Sequence, residues 1–187
     1  MQDIQHTYSE QQCSELLNLA RQTIAARVGL PNAVPKRTSD PVLLQPRGAF
    51  VTLRKQGMLR GCIGQVEPAS PLWDTVSEMA IAAAFHDPRF PPLREAELSE
   101  VDIEISVLSP PSEVTDPQEI EIGRHGLIIE KGGFSGLLLP QVASSRAWDT
   151  LTFLRETCRK AGLMPDDWKS GATIWKFQAE VFGERSE

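Results

Sequence analysis

The run Leu59-Arg60-Gly61-Cys62-Ile63-Gly64 sets a thiol between two glycines and two residues from an arginine. The thiolate is the nucleophilic and metal-binding form of cysteine, and a nearby guanidinium favours it. Glycine brings no side chain to screen a neighbour. These residues could therefore support nucleophilic chemistry, with Cys62 as nucleophile or covalent carrier and Arg60 favouring thiolate or holding an anionic group. A base would be needed. The three histidines are His6, His86 and His125. His6 stands close to the N-terminus. His125 lies between Arg124 and Gly126, ahead of an apolar run, so a turn should place it near a sheet end as a candidate proton acceptor.

Other readings of the same residues stay open. Cys62 could be a small buried residue in a tight strand crossing, since free cysteine is often buried. His125 could be a turn imidazole bonded to backbone. Cys62, His86, His125 and Asp87 have ligand types that suit zinc or iron, but no pair of them has the spacing of a recognised site. No three-cysteine cluster is present to hold an iron–sulfur centre. A binding module without chemistry is the third possibility. In it Gly61 and Gly64 let a ligand come close while Arg60, Arg89 and Arg124 hold an anion. Phosphate-loop, dinucleotide-binding, serine-hydrolase and zinc-protease templates are absent, and no cofactor is implied. Asp102 and Glu104, a close pair of acids on one strand face, could form a catalytic carboxylate pair, but read first as a plain solvated strand face.

The elements that must position these residues can be read from periodicity. Ser9 and Gln12 form a capping box, and Cys13, Leu16, Leu17, Ala20, Ile24 and Val28 recur at helical spacing before Gly29 and Pro31 stop the helix. Residues 31–47 read as a connecting loop. Phe50 to Arg54 and Met58 to Val66 read as strands around a tight turn at Lys55-Gln56-Gly57. Simple alternation puts Cys62 on the side of Arg60, away from Leu59 and Ile63.

Ser70-Pro71 opens a helix running to about Phe85, whose alanines predict close packing. Prolines in His86-Asp87-Pro88-Arg89-Phe90-Pro91-Pro92 end it in a rigid loop. Val101, Ile103, Ile105 and Val107 alternate with polar residues, as a half-buried strand should. Ile120 and Ile122 read as a short strand, and Leu127–Glu130 with Phe134–Leu139 as a hairpin. Ser144 or Ser145 could cap a helix whose core stripe, Ala147, Leu151, Leu154, Cys158 and Ala161, makes Cys158 inert. A last strand spans Trp175 to Val181. The four tryptophans, at 73, 148, 168 and 175, follow apolar stripes as core or core edge. This order of elements predicts an α+β fold with a largely antiparallel sheet and flanking helices.

The 187 residues fit one domain, and 41% hydrophobic with 24% charged residues describes a chain that can build a core. A net charge of −6 with scattered basic residues argues against nucleic acid and anionic membrane as partners. An odd number of cysteines without a CxxC pair suits a reducing compartment, and Met1-Gln2-Asp3-Ile4 lacks a signal-peptide pattern. The expectation is a cytoplasmic protein.

The signature hexapeptide, Asp87-Pro88-Arg89-Phe90-Pro91-Pro92-Leu93, Ile103-Glu104-Ile105-Ser106-Val107-Leu108-Ser109, Gly123-Arg124-His125-Gly126-Leu127, the Gly136–Ala143 stretch and the Cys158–Leu163 helix end are similar, in order, to the blocks of the AMMECR domain family. The form is nearest the prokaryotic branch called AmmeMemoRadiSam system protein A. The resemblance covers about residues 10 to 184. It implies one AMMECR domain over residues 1–187, with two lobes and a cleft between them. The larger lobe would come from the N- and C-terminal segments and the smaller from the middle of the chain. Asp87 and Arg89 would shape the cleft from the proline-rich loop. It also implies a Memo-like protein and a radical SAM protein as partners. An enzymatic role for the signature is suggested for the family; a nuclear regulatory role belongs to its animal members and gains nothing from this charge balance. The expected function is a thiol-dependent enzyme or enzyme component acting on a small molecule, with a non-catalytic scaffold or substrate-delivery subunit as the alternative.

Overall fold

A computed structural model describes residues 7–30 and 35–184. His6, the first four residues and part of the 31–47 loop, with its Pro31 stop signal, lie outside the described residues. The fold is α+β with antiparallel strand pairing. The chain forms two compact units, Met1–Leu108 with Glu180–Glu187, and Ser109–Ala179.

In the first unit α1 (Glu10–Arg27) starts at the expected capping box, with the Ser9 side chain accepting from the Gln12 N–H. Its stripe buries Leu16, Leu19, Ala20 and Ile24. β1 (Ala49–Lys55) and β2 (Met58–Gln65) form the expected hairpin. Gln56 and Gly57 both have positive φ, 53° and 78°, the requirement of a two-residue turn that matches strand twist. α2 (Leu72–Phe85) ends where the proline-rich loop begins, and packs on β1, β2 and α1 through its small residues. β3 (Val101–Leu108) pairs with β1, so the strand order is β2-β1-β3 with β2 at an edge.

One sheet face carries Ala49, Val51, Leu53, Ile103, Ile105 and Val107 into the core with α1 and α2. The other face is polar. Its cross-strand rows are Gly64–Phe50–Ser106, then Cys62–Thr52–Glu104, then Leu59–Arg54–Asp102. Chain-end residues close the unit: the Glu184 carboxylate accepts from the Ile103 N–H at 2.9 Å and pairs with Arg21.

The second unit is built on β5 (His125–Lys131), flanked by β6 (Phe134–Leu138) and by β7 (Thr173–Gly183), which runs on into the first unit. A two-residue strand, β4 (Ser112–Glu113), pairs with β7. α4 (Thr150–Lys160) covers this sheet with Phe153, Leu154 and Cys158, each fully buried. Three sequence expectations are corrected here. Ile120 and Ile122 form no strand; Pro117 and the Asp116 cap set a 3-10 turn at Pro117–Glu119, and a further turn follows. A separate short helix, α3 (Pro140–Ser145), uses the proline as its first residue. The cap of α4 is Asp149, accepting from the Thr152 N–H, because Ala147 at φ 50° breaks the helix between. Among the described residues no helix is long and apolar enough to cross a membrane.

Ile105 is fully buried in β3, whereas its neighbour Glu104 points to the polar face with its side chain 31% exposed. Ile105→Ala should therefore cost about 2–5 kcal/mol in urea denaturation. Glu104→Gln, which loses a half-exposed ion pair with Arg54, should stay within about 0.5 kcal/mol of the parent.

Candidate functional site

The position of Cys62 is decided by one extra residue. β1 and β2 pair Lys55 with Met58 and Arg54 with Leu59, but Leu53 with Gly61, so Arg60 has no opposite number. This β-bulge re-aims the side chains on either side of it. Leu59, not Arg60, shares the polar face with Cys62, which corrects the simple alternation. Arg60 instead turns into the proline-rich loop and is 8% exposed. Its Nε and Nη2 donate to Glu97 at 3.1 and 3.2 Å, and Nη2 also donates to the Pro91 carbonyl at 2.9 Å. Arg60 Nη1 is buried with no hydrogen-bond partner among the described residues, and the guanidinium carbon stands 5.9 Å from the Phe90 ring centroid. Arg60 is thus committed to the loop, and the role of thiol partner expected of it falls elsewhere.

Three other residues meet Cys62. The Cys62 sulfur is half-buried and accepts a hydrogen bond from the Thr52 hydroxyl at 3.2 Å. From the loop, Asp87 and Arg89 hold the Cys62 peptide groups. Asp87 Oδ2 accepts from the Cys62 N–H at 2.9 Å, and Arg89 Nη2 donates to the Cys62 carbonyl at 3.1 Å. Arg89 also grips Asp87 through Nε and Nη2 at 2.9 and 2.7 Å. The Asp87 side chain is 1% exposed and the Arg89 side chain 54%. The Arg89 bond, with N–H groups of Cys62 and Arg89, holds the Asp87 carboxyl well below the usual carboxylate range against the opposing effect of burial. Asp87 in turn makes Arg89 more basic, and the charge of an ionised Cys62 adds to that effect. Arg89 is thus a guanidinium bonded to the backbone of Cys62.

Gly61 and Gly64 do not leave open space beside the sulfur. A methyl group on Gly61 would lie 2.2 Å from the Ala83 carbonyl oxygen of α2. One on Gly64 would lie 2.1 Å from the Phe50 ring, which covers that position. Their smallness serves packing, and the expectation that they admit a ligand is corrected accordingly. The sheet's close approach to α2 is what lets the loop after α2 reach Cys62.

The other thiols lie against the apolar cores. Cys158 is fully buried in α4, and burial pushes its pKa up. Cys13, half-buried on α1, is also pushed up, by burial and then by Glu180.

His125 and Arg124 belong to the second unit. His125 opens β5 and is 6% exposed. Its Nδ1 accepts the Glu121 N–H at 3.0 Å, so that nitrogen carries the lone pair and the proton sits on Nε2. Burial lowers its pKa, so the ring is neutral. With its lone pair engaged, this imidazole fastens the 121–125 turn, which is a poor setting for the proton acceptor expected of it. Arg124 is exposed and pairs with Glu121 at 3.1 Å. His86 caps the end of α2. No group of three or more His, Cys, Asp or Glu suited to a metal occurs among the described residues. The structure therefore gathers Arg60, Gly61, Cys62, Gly64, Asp87 and Arg89 about one strand edge of the first unit. Thr52 and Phe50 were missed by the sequence reading, because the bulge that sets their register leaves no mark in residue types.

Gly61→Ala should lower the melting temperature by several degrees, since the Ala83 carbonyl is backbone and cannot yield without moving α2. Asp87→Asn should cost about 2–3 kcal/mol in urea, because it breaks charged hydrogen bonds of a buried carboxylate. The folded-state pKa of Asp87 lies below the unfolded value of about 3.9. Its contribution is then complete above that value and is lost progressively as pH falls from there toward the lower folded-state pKa. Urea midpoints measured between about pH 6 and pH 3 should fall less steeply in Asp87→Asn than in the parent.

Comparison with known proteins supplies the family. The AMMECR1 family model matches residues 17–182. A protein of Methanothermobacter thermautotrophicus is 46% identical over 182 residues, covering 90% of this chain and 92% of its own length. One from Methanopyrus kandleri is 47% identical over 179 residues, covering 90% of this chain and 86% of its own. The crystal structure of an uncharacterized protein from Pyrococcus horikoshii superposes with a TM-score of 0.82 at 42% identity, over 91% of this chain and 90% of that one. With a bulged hairpin carrying the signature, a fold shared with a solved relative and a family match across nearly its whole length, the chain belongs to the AMMECR1 family.

Proposed function

We propose that this protein is a thiol-dependent enzyme or enzyme component acting on a small molecule, with Cys62 as nucleophile or covalent carrier. The observation that carries the reading is the Thr52 hydroxyl aimed at the Cys62 sulfur at 3.2 Å. A hydroxyl at that distance can donate to a thiolate once one forms. Three further features support it. The peptide of Cys62 is clamped on both sides by Asp87 and Arg89, so the sulfur has a fixed origin. The exposed Arg89 guanidinium next to it could hold an anionic group of a substrate. Cys13 and Cys158 are packed against the apolar cores of α1 and α4. Memo-like and radical SAM proteins, implied by the family resemblance, are the proposed partners, supplying or receiving the small molecule.

The test is competitive alkylation of the full chain with iodoacetamide, read thiol by thiol by peptide mass mapping. Cys62 should label at least about tenfold faster than Cys13 at neutral pH, with Cys158 protected until the chain unfolds. Cys62→Ser should keep the fold, judged by far-UV circular dichroism and melting temperature. Equal, slow labelling of Cys62 and Cys13, or collapse of Cys62→Ser, would reduce Cys62 to a structural residue.

A further inference from the structure

The last residues of β7, which belong to the first unit, leave one strand edge unpaired. β5 pairs with β7 over residues 173–178 and no farther. β3 takes the opposite edge, where the Glu184 N–H donates to the Ile103 carbonyl at 3.1 Å. The backbone groups of successive strand residues point to opposite edges. Since Glu184 faces β3, so does Phe182, and the N–H and C=O groups of Val181 and Gly183 turn the other way. No strand meets them among the described residues. The Val181 side chain is itself open to solvent, with the residue 42% exposed.

Alongside this edge runs a groove of about 910 Å³, with α1 as one wall and residues 180–184 as the other. Every described residue lining it lies in the first unit. Its apolar lining comes from Cys13, Leu17 and Phe182, which pack on the core beneath. Its acids are Glu10, Glu180 and Glu184, and no lysine, arginine or histidine lines it among the described residues. The walls are pinned at both ends. Glu180 accepts from the Thr7 N–H at 2.9 Å and the Tyr8 N–H at 3.3 Å, ahead of α1. Arg21 holds Glu184 and spends its other donors on the Leu98 and Val101 carbonyls. A groove fixed in this way loses little freedom when it is filled. No buried side-chain donor or acceptor without a partner lines it, so recognition falls to the free strand edge and to charge.

We infer that this groove receives an extended segment of a protein partner, in which basic residues alternate with apolar ones, added as a strand beside Val181 and Gly183. Such a segment pairs its backbone with the outward groups of β7, and the side chains on its inner face enter the space beside α1. The apolar ones meet Cys13, Leu17 and Phe182, and the basic ones meet the carboxylates. A second copy of this chain suits the groove poorly. Edge-to-edge pairing of two identical strands would set the same acids against each other, in a chain of net charge −6. This surface is separate from the thiol reading and stands or falls without it.

The probe is a short fluorescein-labelled peptide of alternating lysine and valine, titrated with the full chain and followed by fluorescence anisotropy. Two further peptides test the two parts of the inference. One alternates glutamate and valine. The other keeps lysine and valine but is N-methylated throughout, so it has the charge without the donors of a strand. The lysine–valine peptide should bind at least about tenfold tighter than either. Val181→Pro removes one outward donor and leaves the bonds to β3, as an edge proline can. It should weaken binding about fivefold or more, and Val181→Thr should keep it. Glu10→Lys should weaken it to a similar degree, whereas Glu67→Lys, an equal charge change on the exposed 67–69 turn, should matter less than about twofold. Circular dichroism checks the fold of each variant. Saturating peptide should also slow N-ethylmaleimide labelling of Cys13, which lines the groove, and leave Cys62 unchanged. Equal binding of the N-methylated peptide, or an unaltered affinity in Val181→Pro, would reduce the effect to bulk charge and overturn the inference. Concentration-dependent dimers abolished by Val181→Pro would give the edge to a second copy. Binding seen only after removal of residues 1–6 would give the groove to the chain's own beginning. Either result would overturn the assignment to a partner.

Discussion

The geometry of this protein turns on a single surplus residue in a strand. A two-residue turn at Gln56-Gly57 would, in an unbroken ladder, set Val51 opposite Cys62 and send the thiol into the apolar layer beneath α1 and α2. The bulge at Arg60 shifts everything after it by one position. Cys62 then meets Thr52 on the polar face, Gly61 meets the core face where the Ala83 carbonyl of α2 comes close to the strand, and Arg60 is expelled sideways. The thiol's surroundings are therefore a matter of register, and only secondarily of which residues flank it in the chain.

Two ion pairs stabilise that arrangement, and they are not equivalent. Arg60 with Glu97 anchors the bulge itself; both side chains are largely buried, and Arg60 adds a bond to the Pro91 carbonyl. Buried charges are costly unless their remaining donors and acceptors are met. Asp87 satisfies this condition fully, with each carboxylate oxygen accepting two bonds. Arg60 does so less completely, its buried Nη1 having no hydrogen-bond partner among the described residues. The rigid prolines between these two pairs make the loop a strut joining the end of α2 to the outer side of β2.

Much of the architecture was legible in the residues. The alternation of Val101 to Val107 marks a half-buried strand and the Ser9–Gln12 box a helix start, whereas the stripe expected around Cys158 holds only for Leu154, Cys158 and Ala161, because Ala147 lies before the helix and Leu151 faces outward at 48% exposed. The bulge was not legible. Its cause is non-local: the fit of Gly61 under Ala83 and of the Arg60 guanidinium on Glu97, residues 22 and 37 positions away. The part played by Asp87 and Arg89 could be guessed as far as a shared loop, but their bonds to the Cys62 peptide depend on that same shift. His125 misled for a similar reason. A glycine-flanked histidine looks available, whereas its ring nitrogen is already claimed by the Glu121 backbone four residues back.

The clamp on the Cys62 peptide also governs the direction from which anything can arrive. β2 borders its sheet, and the backbone donor and acceptor it turns outward at Cys62 are those an extra extended chain would need for pairing. A carboxylate and a guanidinium already occupy both. Lateral zippering of a peptide or of another copy's strand is thus blocked at that residue, which leaves the sheet face that Cys62 shares with Thr52 for an approach to its side chain. A compact reactant can use such a route; an extended polypeptide seeking backbone pairing cannot.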